Sequence, residues 1–273
     1  MSKYQIIEKF GKKQKEGITL STSSIDTMEK CHYQYYLQYI AKIKVPDDQT
    51  ALVFGRMLHI IIENYKGGAG EEIKGLLKLF KEDENLKEKY WNKLNPEYRA
   101  KIAKAAYNTN FYLTKRYPQC KGIKHEEQFD LYDIDNVDGK NIHVQGKVDG
   151  IYEINNKLFI TDFKTGKKKK DHSKQLGFYL YVINKTTKDK KIVEATGEIV
   201  NLCLEDQTSV DEVLEYYNLE EFDIIRAENR VKRAIETLKT NGIQLEDSNK
   251  WVKKPQRLCN WCKYYKSGHC DGK

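Results

Sequence analysis

The sequence predicts a mixed α/β fold, and the main observation behind this is a β-hairpin followed by alternating helix and strand patterns. Two β-rich runs flank Asn155 and Asn156, and asparagine tolerates the positive φ of a two-residue hairpin turn. A helical pattern over 172–184, a strand over 196–204 and a helix over 222–238 follow this hairpin. Strands that are separated by helices favour a sheet with helices packed against it.

Length and composition limit the class of protein. At 273 residues the chain can form one large domain or two small ones, and it can bury a substantial core. No run approaches the roughly 20 apolar residues of a membrane span, and the N-terminus lacks a signal-peptide pattern. We therefore expect a cytoplasmic protein without a membrane partner. The net charge of +8 favours a polyanionic partner.

The first predicted elements are a polar arm and a helix. Residues 1–20 are rich in lysine and form the arm, and Ser23 or Ser24 can cap the helix that follows. This helix is predicted to run through four residues at helical spacing: Met28, Cys31, Tyr35 and Tyr39. We expect the tyrosines of this helix to pack in the core rather than to stack on bases.

A second helix follows the loop at 46–50. Its apolar side is formed by six residues: Val53, Phe54, Met57, Leu58, Ile61 and Ile62. Gly55 and His59 lie on the same helix, and a lone histidine in such a place is more often a core residue than a ligand. Residues 67–120 contain a glycine-rich break and then charged amphipathic helices, which predict a helical insert beside the sheet.

Further strands precede the central hairpin. They begin near Ile123 with the run His125–Phe129. The chain turns within 135–140, which contains the turn sequence Asp138-Gly139, and it returns as a strand over 142–152.

The central hairpin places charged residues opposite one another. If the two asparagines form the loop, Ile151 lies opposite Ile160 and Asp149 lies opposite Asp162. Lys164 shares the face of Asp162, because side chains alternate along a strand. Directly opposed side chains are roughly 5 Å apart and like charges there are destabilising. We therefore expect a cation between the two carboxylates, and Mg²⁺ suits such a pair.

An exposed hairpin whose charges simply face water is the alternative interpretation. The strand of Asp162 contains four apolar residues that favour burial: Leu158, Phe159, Ile160 and Phe163. A buried carboxylate pair beside a lysine indicates a functional site.

Three of the six cysteines lie close together in the C-terminal region, as Cys259-x2-Cys262-x7-Cys270. This spacing indicates thiolate ligation of a metal. Zinc needs a fourth ligand, which His269 or Cys31 can supply, whereas a four-cysteine iron–sulfur cluster needs a fourth thiolate, for which Cys31 is the natural candidate. Cys120 and Cys203 lie outside this pattern and are expected to be buried thiols.

Three motifs resemble those of the PD-(D/E)xK nuclease superfamily. They are Gly146-x-x-Asp149, Asp162-Phe-Lys164-Thr-Gly166 and Gln175-x3-Tyr179. More narrowly, the chain is similar to the RecB-like exonucleases, which include the AddB nuclease domain and the CRISPR-adaptation nucleases. The resemblance spans residues 20–270 in short motifs that follow the family order. It implies a restriction-endonuclease-like core, with a mixed central sheet flanked by helices.

The resemblance also implies how the chain is divided. A nuclease core over residues 21–250 contains the helical insert at about 67–120, and a cysteine-rich tail over residues 251–273 closes onto Cys31. In the family, one N-terminal cysteine and three C-terminal cysteines hold a 4Fe–4S cluster. Here these are Cys31, Cys259, Cys262 and Cys270.

The same resemblance implies roles for residues of the hairpin and its neighbours. One or two Mg²⁺ or Mn²⁺ ions would be held by His59, Glu126, Asp149 and Asp162. The adjacent Glu127 leaves the choice of glutamate open, because neighbours in a strand face opposite ways. Lys164 would orient the attacking water or stabilise the charge of the phosphorane. Gln175 and Tyr179 would line the substrate channel and position the strand.

These roles imply a metal-dependent DNA exonuclease that acts on single strands or ends, in recombination, repair or phage DNA processing. No Walker A pattern occurs, so a helicase motor would belong to a partner, and a CRISPR integrase is another candidate partner. The lysine run 167–170 would attract the phosphate backbone or form a solvated loop. The alternatives are a non-catalytic DNA-binding module, a zinc-stapled nucleic-acid-binding protein and a CRISPR-adaptation accessory nuclease.

Overall fold

One mixed sheet forms the centre of the protein. The computed structural model describes residues 16–46, 48–66, 69–166, 171–187, 192–203 and 213–272. Within them the strands are β1 (Ile18–Leu20), β2 (Lys121–Val137), β3 (Lys140–Ile154), β4 (Lys157–Lys164), β5 (Ala195–Asn201) and β6 (Leu214–Leu219). Their order is β1-β3-β4-β5-β6, with β1 and β4 at different ends of one edge of β3. β2 pairs antiparallel along the other edge of β3.

Helices cover both faces of this sheet. In chain order they are α1 (Thr22–Lys30), α2 (His32–Tyr35), α3 (Thr50–Glu63), α4 (Ala69–Glu82), α5 (Glu84–Lys89), α6 (Pro96–Arg116), α7 (Ser173–Thr186), α8 (Glu221–Asn241) and α9 (Lys263–Lys266). Ile199 and Val200, neighbours in β5, are buried in different clusters: Ile199 with α7 and α8, and Val200 with α3, α4 and α6. Neighbouring side chains of a strand face opposite ways, so the two clusters lie on opposite faces. The predicted mixed α/β fold is confirmed.

Both hairpin turns lie where the sequence predicts them. Asn155 and Asn156 have φ values of 51° and 63°, and they join β3 to β4. Asp138 and Gly139 have φ values of 49° and 77°, and they join β2 to β3. Left-handed backbone at both loop residues matches the right-handed twist of the flanking strands, which is why these residue types close the loops.

β3 and β4 pair in the predicted register. Ile151 lies opposite Ile160, and the pairing continues by one further position. Asp149 and Asp162 are the residues that follow this last pair. Lys164, two residues after Asp162, ends β4 on the same face of the strand.

The N-terminal helix differs from its prediction in two respects. Ser21 is the cap of this helix, rather than Ser23 or Ser24. Oγ of Ser21 accepts a hydrogen bond from the backbone N–H of Ser24 at 3.3 Å. In return, Oγ of Ser24 accepts a hydrogen bond from the backbone N–H of Ser21 at 2.8 Å. This reciprocal pair satisfies two backbone donors, and the helix begins two or three residues earlier than predicted. The helix is also not continuous, because Cys31 has extended backbone (φ −160°) between α1 and α2, and a π-helical turn over Tyr36–Ile40 follows.

The C-terminal segment packs against these N-terminal helices. The indole of Trp251 stacks on the ring of Tyr35 with 5.6 Å between their centroids, and both side chains are buried. The backbone N–H of Tyr33 donates a hydrogen bond to the carbonyl of Val252 at 3.1 Å. The tyrosines of α2 therefore pack in the core as predicted, and they join the two ends of the chain.

Several smaller expectations have different outcomes. β5 ends at Asn201, before the predicted end of that strand. Cys203 is buried as predicted, and burial raises the pKa of its thiol to about 12. Cys120, the residue before β2, is only half-buried, so the expectation for it is wrong. Residues 1–15 of the predicted arm and the lysine run 167–170 lie outside the described residues. In the described part of the chain, no helix is long and apolar enough to cross a membrane.

Candidate active site

α3 carries its polar face past the end of β4. A Cβ atom added to Gly55 would lie 3.3 Å from Oγ1 of Thr165, so the helix approaches the chain closely just after the strand. This approach places His59, one turn further along α3, at the edge of the Phe163 ring, with 6.0 Å between the ring centroids. The spacing of Gly55 and His59 therefore has a structural reason, because the glycine allows the contact that positions the histidine.

Three side chains from separate elements converge at this point. Nδ1 of His59 lies 3.1 Å from Oε1 of Glu126 and 3.5 Å from Oδ1 of Asp149. One ligand atom of each residue lies within 4.8 Å of the other two. A nitrogen and two carboxylate oxygens are a donor set that fits Mn²⁺ or Mg²⁺. The histidine therefore faces two carboxylates, as a metal ligand in such a group would.

The structure distinguishes the two adjacent glutamates. Glu126 has a φ of 53°, a left-handed backbone that is uncommon for a residue inside a strand. Its side chain is 4% exposed and faces His59, whereas Glu127 is not part of the convergent group. A non-glycine residue in this conformation is held there by its surroundings, and such residues cluster at functional sites.

Asp149 is held by the backbone around it. Its Oδ2 accepts a hydrogen bond from the N–H of Phe163 at 2.8 Å, which orients the carboxylate across from β4. Burial of the Asp149 carboxyl raises its pKa, and the nearby charge of Asp162 raises it further. His59 lowers this pKa, but not enough to offset the other two effects, so the pKa lies above its ordinary value. The two aspartates therefore interact, as the hairpin register predicts.

Asp162 lies in a network with the predicted lysine and with α7. Lys164 pairs with Oδ2 of Asp162, and Nε2 of Gln175 donates to Oδ1 of the same carboxylate at 2.7 Å. The hydroxyl of Tyr179 accepts from Nε2 of Gln175 at 2.7 Å and lies 3.4 Å from Oδ1 of Asp162. Burial raises the pKa of Tyr179 well above its ordinary value, so its hydroxyl stays protonated. Asp162 is next to the group of His59, Glu126 and Asp149 but is not one of the three convergent ligands.

Three charged residues of the site carry no sequence prediction. Arg56 and Lys147 both contact Oε2 of Glu126, and Arg56 also lies 3.2 Å from Oε1 of Glu63. Spacing is the signal that identifies them. Arg56 lies three residues before His59 and Glu63 lies four residues after it, so all three are on the same face of α3. Lys147 lies two residues before Asp149 in β3, so these two side chains share a face of the strand.

The four cysteines of the predicted cluster line one pocket. Cys31, at the break between α1 and α2, faces the pocket together with the three cysteines of the tail: Cys259, Cys262 and Cys270. All four are free thiols. Backbone N–H groups donate to two of the sulfur atoms, from Gln256 to Sγ of Cys259 at 3.4 Å and from Gly272 to Sγ of Cys270 at 3.5 Å.

The spacing of these thiols bears on the kind of metal. Among the described residues, no three of the four sulfur atoms lie within 4.8 Å of one another. Tetrahedral zinc with bonds of about 2.3 Å would hold its sulfurs about 3.8 Å apart. The thiols therefore share a pocket without forming a compact group of metal ligands, so the expected 4Fe–4S cluster stays a prediction. His269 bonds Oγ of Ser267 at 2.8 Å through its Nδ1.

Comparison with known proteins identifies one family. The model of the PD-(D/E)XK nuclease superfamily matches residues 19–267 of this chain. The crystal structure of SSO0001 is similar with a TM-score of 0.34 and 14% identity, over 81% of this chain and 96% of that chain. The structure of protein VC1899 from Vibrio cholerae has a TM-score of 0.21 and 15% identity, over 82% of this chain and 56% of that chain. No curated protein matches the sequence.

Proposed function

We propose that this chain, which belongs to the PD-(D/E)XK nuclease superfamily, is a metal-dependent DNA exonuclease that acts on single strands or ends. The observation that carries the proposal is the convergence of His59, Glu126 and Asp149 beside the pair of Asp162 and Lys164. Ligand atoms for a divalent cation and an adjacent ammonium group are the parts that phosphodiester hydrolysis requires. A non-catalytic DNA-binding module would not need both.

The metal ligands in this proposal are His59, Glu126 and Asp149, with Asp162 as the fourth. A bound Mg²⁺ or Mn²⁺ supplies Lewis acidity to the scissile phosphate and makes the attacking water more acidic. The N–H of Phe163 fixes the Asp149 carboxylate by its bond to Oδ2, which leaves Oδ1 directed at His59.

Lys164 is the proposed catalytic cation. Its side chain is 25% exposed, and Nζ donates to Oε1 of Gln175 at 2.9 Å as well as contacting Asp162. In this position the ammonium can orient the attacking water and stabilise the negative charge that develops on the phosphorane. Gln175 and Tyr179 act as positioning residues. Both contact the carboxylate of Asp162, and Gln175 also binds Lys164.

The preference for single strands is supported by the cysteine-rich tail. The indole of Trp261 is 79% exposed, and Nζ of Lys266 lies 5.5 Å from its centroid. Lys263 and Gln34 line the adjoining pocket. Exposed aromatic rings among cations bind unpaired bases by stacking and bind the backbone by charge.

The tail is also proposed to hold a 4Fe–4S cluster through Cys31, Cys259, Cys262 and Cys270. The shared pocket of the four thiols supports this, because it places cysteines from both ends of the chain around one space. Because the ligands come from both ends of the chain, a cluster would close a long loop and add to the contacts of Trp251 and Tyr35. Three further points stay predictions from the resemblance: the RecB-like assignment, a phage origin, and a helicase or integrase as partner.

The proposal is tested by digestion of DNA with anaerobically purified protein. Linear single-stranded DNA labelled at either end and circular single-stranded DNA are incubated with Mg²⁺, with Mn²⁺ or with EDTA. An exonuclease degrades the linear strand in the presence of metal and leaves the circle intact, and the order of label release gives the polarity.

Two results would contradict parts of this proposal. Cleavage of the circle would show an endonuclease. Absence of cleavage with either metal, while DNA still binds, would identify a non-catalytic binding module. The Lys164→Ala variant, purified in parallel, controls for contaminating nucleases.

A further inference from the structure

An open pocket lies on the surface between α7 and the cysteine-rich tail. Lys174 of α7 lines it, together with Lys30, the last residue of α1, and with Lys254 and Gln256 of the tail. Nε2 of Gln256 donates to the carbonyl of Lys30 at 3.0 Å, which holds the tail against α1 at this point. Lys30, Lys254 and Gln256 also line the pocket of the four cysteines. The two pockets are therefore adjoining sections of one depression.

The cysteine pocket continues to the exposed indole of the tail. It shares Gln34 and Cys262 with the pocket that Trp261 lines. The exposed ring of Tyr265 also lines the cysteine pocket. Because each section shares residues with the next, the three sections form one continuous depression from the first turn of α7 to Trp261. We call it the basic groove.

Lysines supply most of the charge in the basic groove. Six of them line it: Lys30, Lys174, Lys253, Lys254, Lys263 and Lys266. Among the described residues, the carboxylates that line the same three sections are Asp26 and Glu29, both in the section next to α7. Lys253 pairs with Asp271 at 2.9 Å, so it adds less to the field of the groove than the other lysines do.

The two carboxylates of the groove are neutralised by a buried guanidinium. Nε and Nη2 of Arg230 donate to the two oxygens of Glu29 at 2.8 Å and 3.0 Å. Arg230 also pairs with Asp26, and its side chain is only 2% exposed. This arginine therefore offsets the negative charge from beneath the surface, and the groove keeps a clear excess of positive charge.

The basic groove begins beside the candidate active site. Lys174 directly precedes Gln175 in the first turn of α7, and Gln175 bonds both Lys164 and Asp162. Nζ of Lys174 lies 3.9 Å from Oε2 of Glu29, which is too far for a hydrogen bond, and its side chain is half exposed. Its ammonium group can therefore bind a phosphate next to the one that Lys164 acts on.

We propose that the basic groove binds the single strand that extends away from the scissile phosphate. In this proposal, phosphates of the strand pass Lys174, then Lys30 and Lys254, and a base farther along stacks on Trp261. A positively charged groove with aromatic rings for stacking is the arrangement that binds unpaired strands. The inference rests on the proposed nuclease function and gives the strand a direction across the surface.

The first test measures kcat and KM on single-stranded oligonucleotides of increasing length. Cleavage requires the scissile phosphate at Lys164, so a longer substrate fills the groove from α7 outward. Lys174→Gln should raise KM on the shortest substrates that are cleaved, Lys254→Gln only on longer ones, and Trp261→Ala only on the longest. For Trp261→Ala the rise should be about tenfold, the loss of one stacked base. The value of kcat should change little, because these contacts are the same in the ground state and the transition state.

The second test measures binding of the longest oligonucleotide in EDTA, by fluorescence anisotropy at several salt concentrations. Each phosphate contact contributes about 0.7 to the slope of log affinity against log salt for a single strand. A variant that combines Lys30→Gln, Lys174→Gln and Lys254→Gln should therefore lower this slope by about 2. All three side chains are exposed, so the variant should fold.

A second triple variant matches this loss of charge away from the groove. It combines Lys74→Gln and Lys78→Gln on α4 with Lys232→Gln on α8, and all three lysines are exposed. Its salt slope and its KM at every length should equal those of the wild type. An equal fall of the slope in both triple variants would show a general effect of net charge and would overturn the inference.

The remaining outcomes separate the inference from the proposed function. Cleavage by the wild type with KM defects that do not follow the order Lys174, Lys254, Trp261 in substrate length would overturn the inference and leave the nuclease function intact. An unchanged salt slope in the variant of the groove would also overturn it. Absence of cleavage by the wild type at every length, with Mg²⁺ and with Mn²⁺, would overturn the proposed function, and the salt slope would then decide whether the groove binds the strand.

Discussion

Nζ of Lys164 donates a hydrogen bond to Oε1 of Gln175 at 2.9 Å. This bond joins the last residue of β4 to the first turn of α7, so it fixes the free end of the lysine side chain. The other amide atom of Gln175 donates to Asp162 at 2.7 Å. One side chain of α7 thus orients both a candidate catalytic ammonium and a candidate metal ligand.

Lys164→Ala should lower the single-turnover rate of DNA cleavage by at least about 100-fold, the cost of removing a group that stabilises transition-state charge. Folding and DNA binding should be retained, because the side chain is partly exposed and β4 keeps its backbone pairing. Lys157→Ala, at the exposed opposite end of β4, is the matched control. A Lys164→Ala variant that cleaves at the wild-type rate would refute the assigned role.

Gln175→Ala should lower kcat about tenfold, since it releases Lys164 and Asp162 together without removing either. Tyr179→Phe should have a smaller effect, because the buried ring keeps its packing and only the hydroxyl contacts are lost. Steady-state kinetics at saturating Mg²⁺ measure both. A larger defect in Tyr179→Phe than in Gln175→Ala would show that the amide is not the main positioning group.

Trp261→Ala should weaken the binding of single-stranded DNA by about tenfold, corresponding to the loss of one base-stacking contact. Duplex binding should change much less, because paired bases cannot stack on the indole. Fluorescence anisotropy with matched oligonucleotides measures both affinities. Tyr107→Ala removes an exposed aromatic ring on α6, away from the cysteine-rich tail, and should leave both affinities unchanged. Equal loss for both DNA forms would point to a general defect of the tail.

Glu29→Gln should destabilise the protein at about pH 7 and have a smaller effect in acid, at about pH 3. Burial raises the pKa of the Glu29 carboxyl, but hydrogen bonds and charge from Arg230 outweigh burial and hold the pKa below its ordinary value. A lowered folded-state pKa means that the stabilisation is present above the unfolded-state pKa and is lost as pH falls through the folded-state value.

Because Glu29 is partly exposed, the expected loss in the free energy of unfolding is at most about 1 kcal/mol. Urea unfolding at the two pH values measures it. Glu236→Gln, an exposed glutamate of α8, is the control and should be neutral at both. A difference between Glu29→Gln and wild type that persisted undiminished in acid would exclude ionisation as the cause.

Cys262→Ala should lower the thermal stability and remove bound iron, because the cluster would lose a ligand that joins the chain ends. Anaerobically purified wild-type protein should be brown, with absorbance at about 400 nm. Cys120→Ala is the control, since Cys120 lies outside the tail pocket. Colourless wild-type protein with stoichiometric zinc would contradict the iron–sulfur proposal, and so would a fully stable, active Cys262→Ala variant.

The sequence by itself determined the local geometry of the hairpin. Asn155 and Asn156 have the left-handed backbone expected of them, and the register that follows sets Asp149 beside Asp162. Lys164 then falls on the correct face without further information. These features depend on turn chemistry and on the two-residue period of a strand, and both can be inferred from neighbouring residues.

Only the tertiary structure decided which groups meet across elements. The unusual backbone of Glu126, the bridge from Arg56 to Glu63 and the contact of Lys147 depend on how α3 passes β2, β3 and β4. The break of the N-terminal helix at Cys31 likewise depends on packing against the tail. Periodicity shows which face of an element a residue occupies, but the distance between two elements is determined by close packing of the whole core.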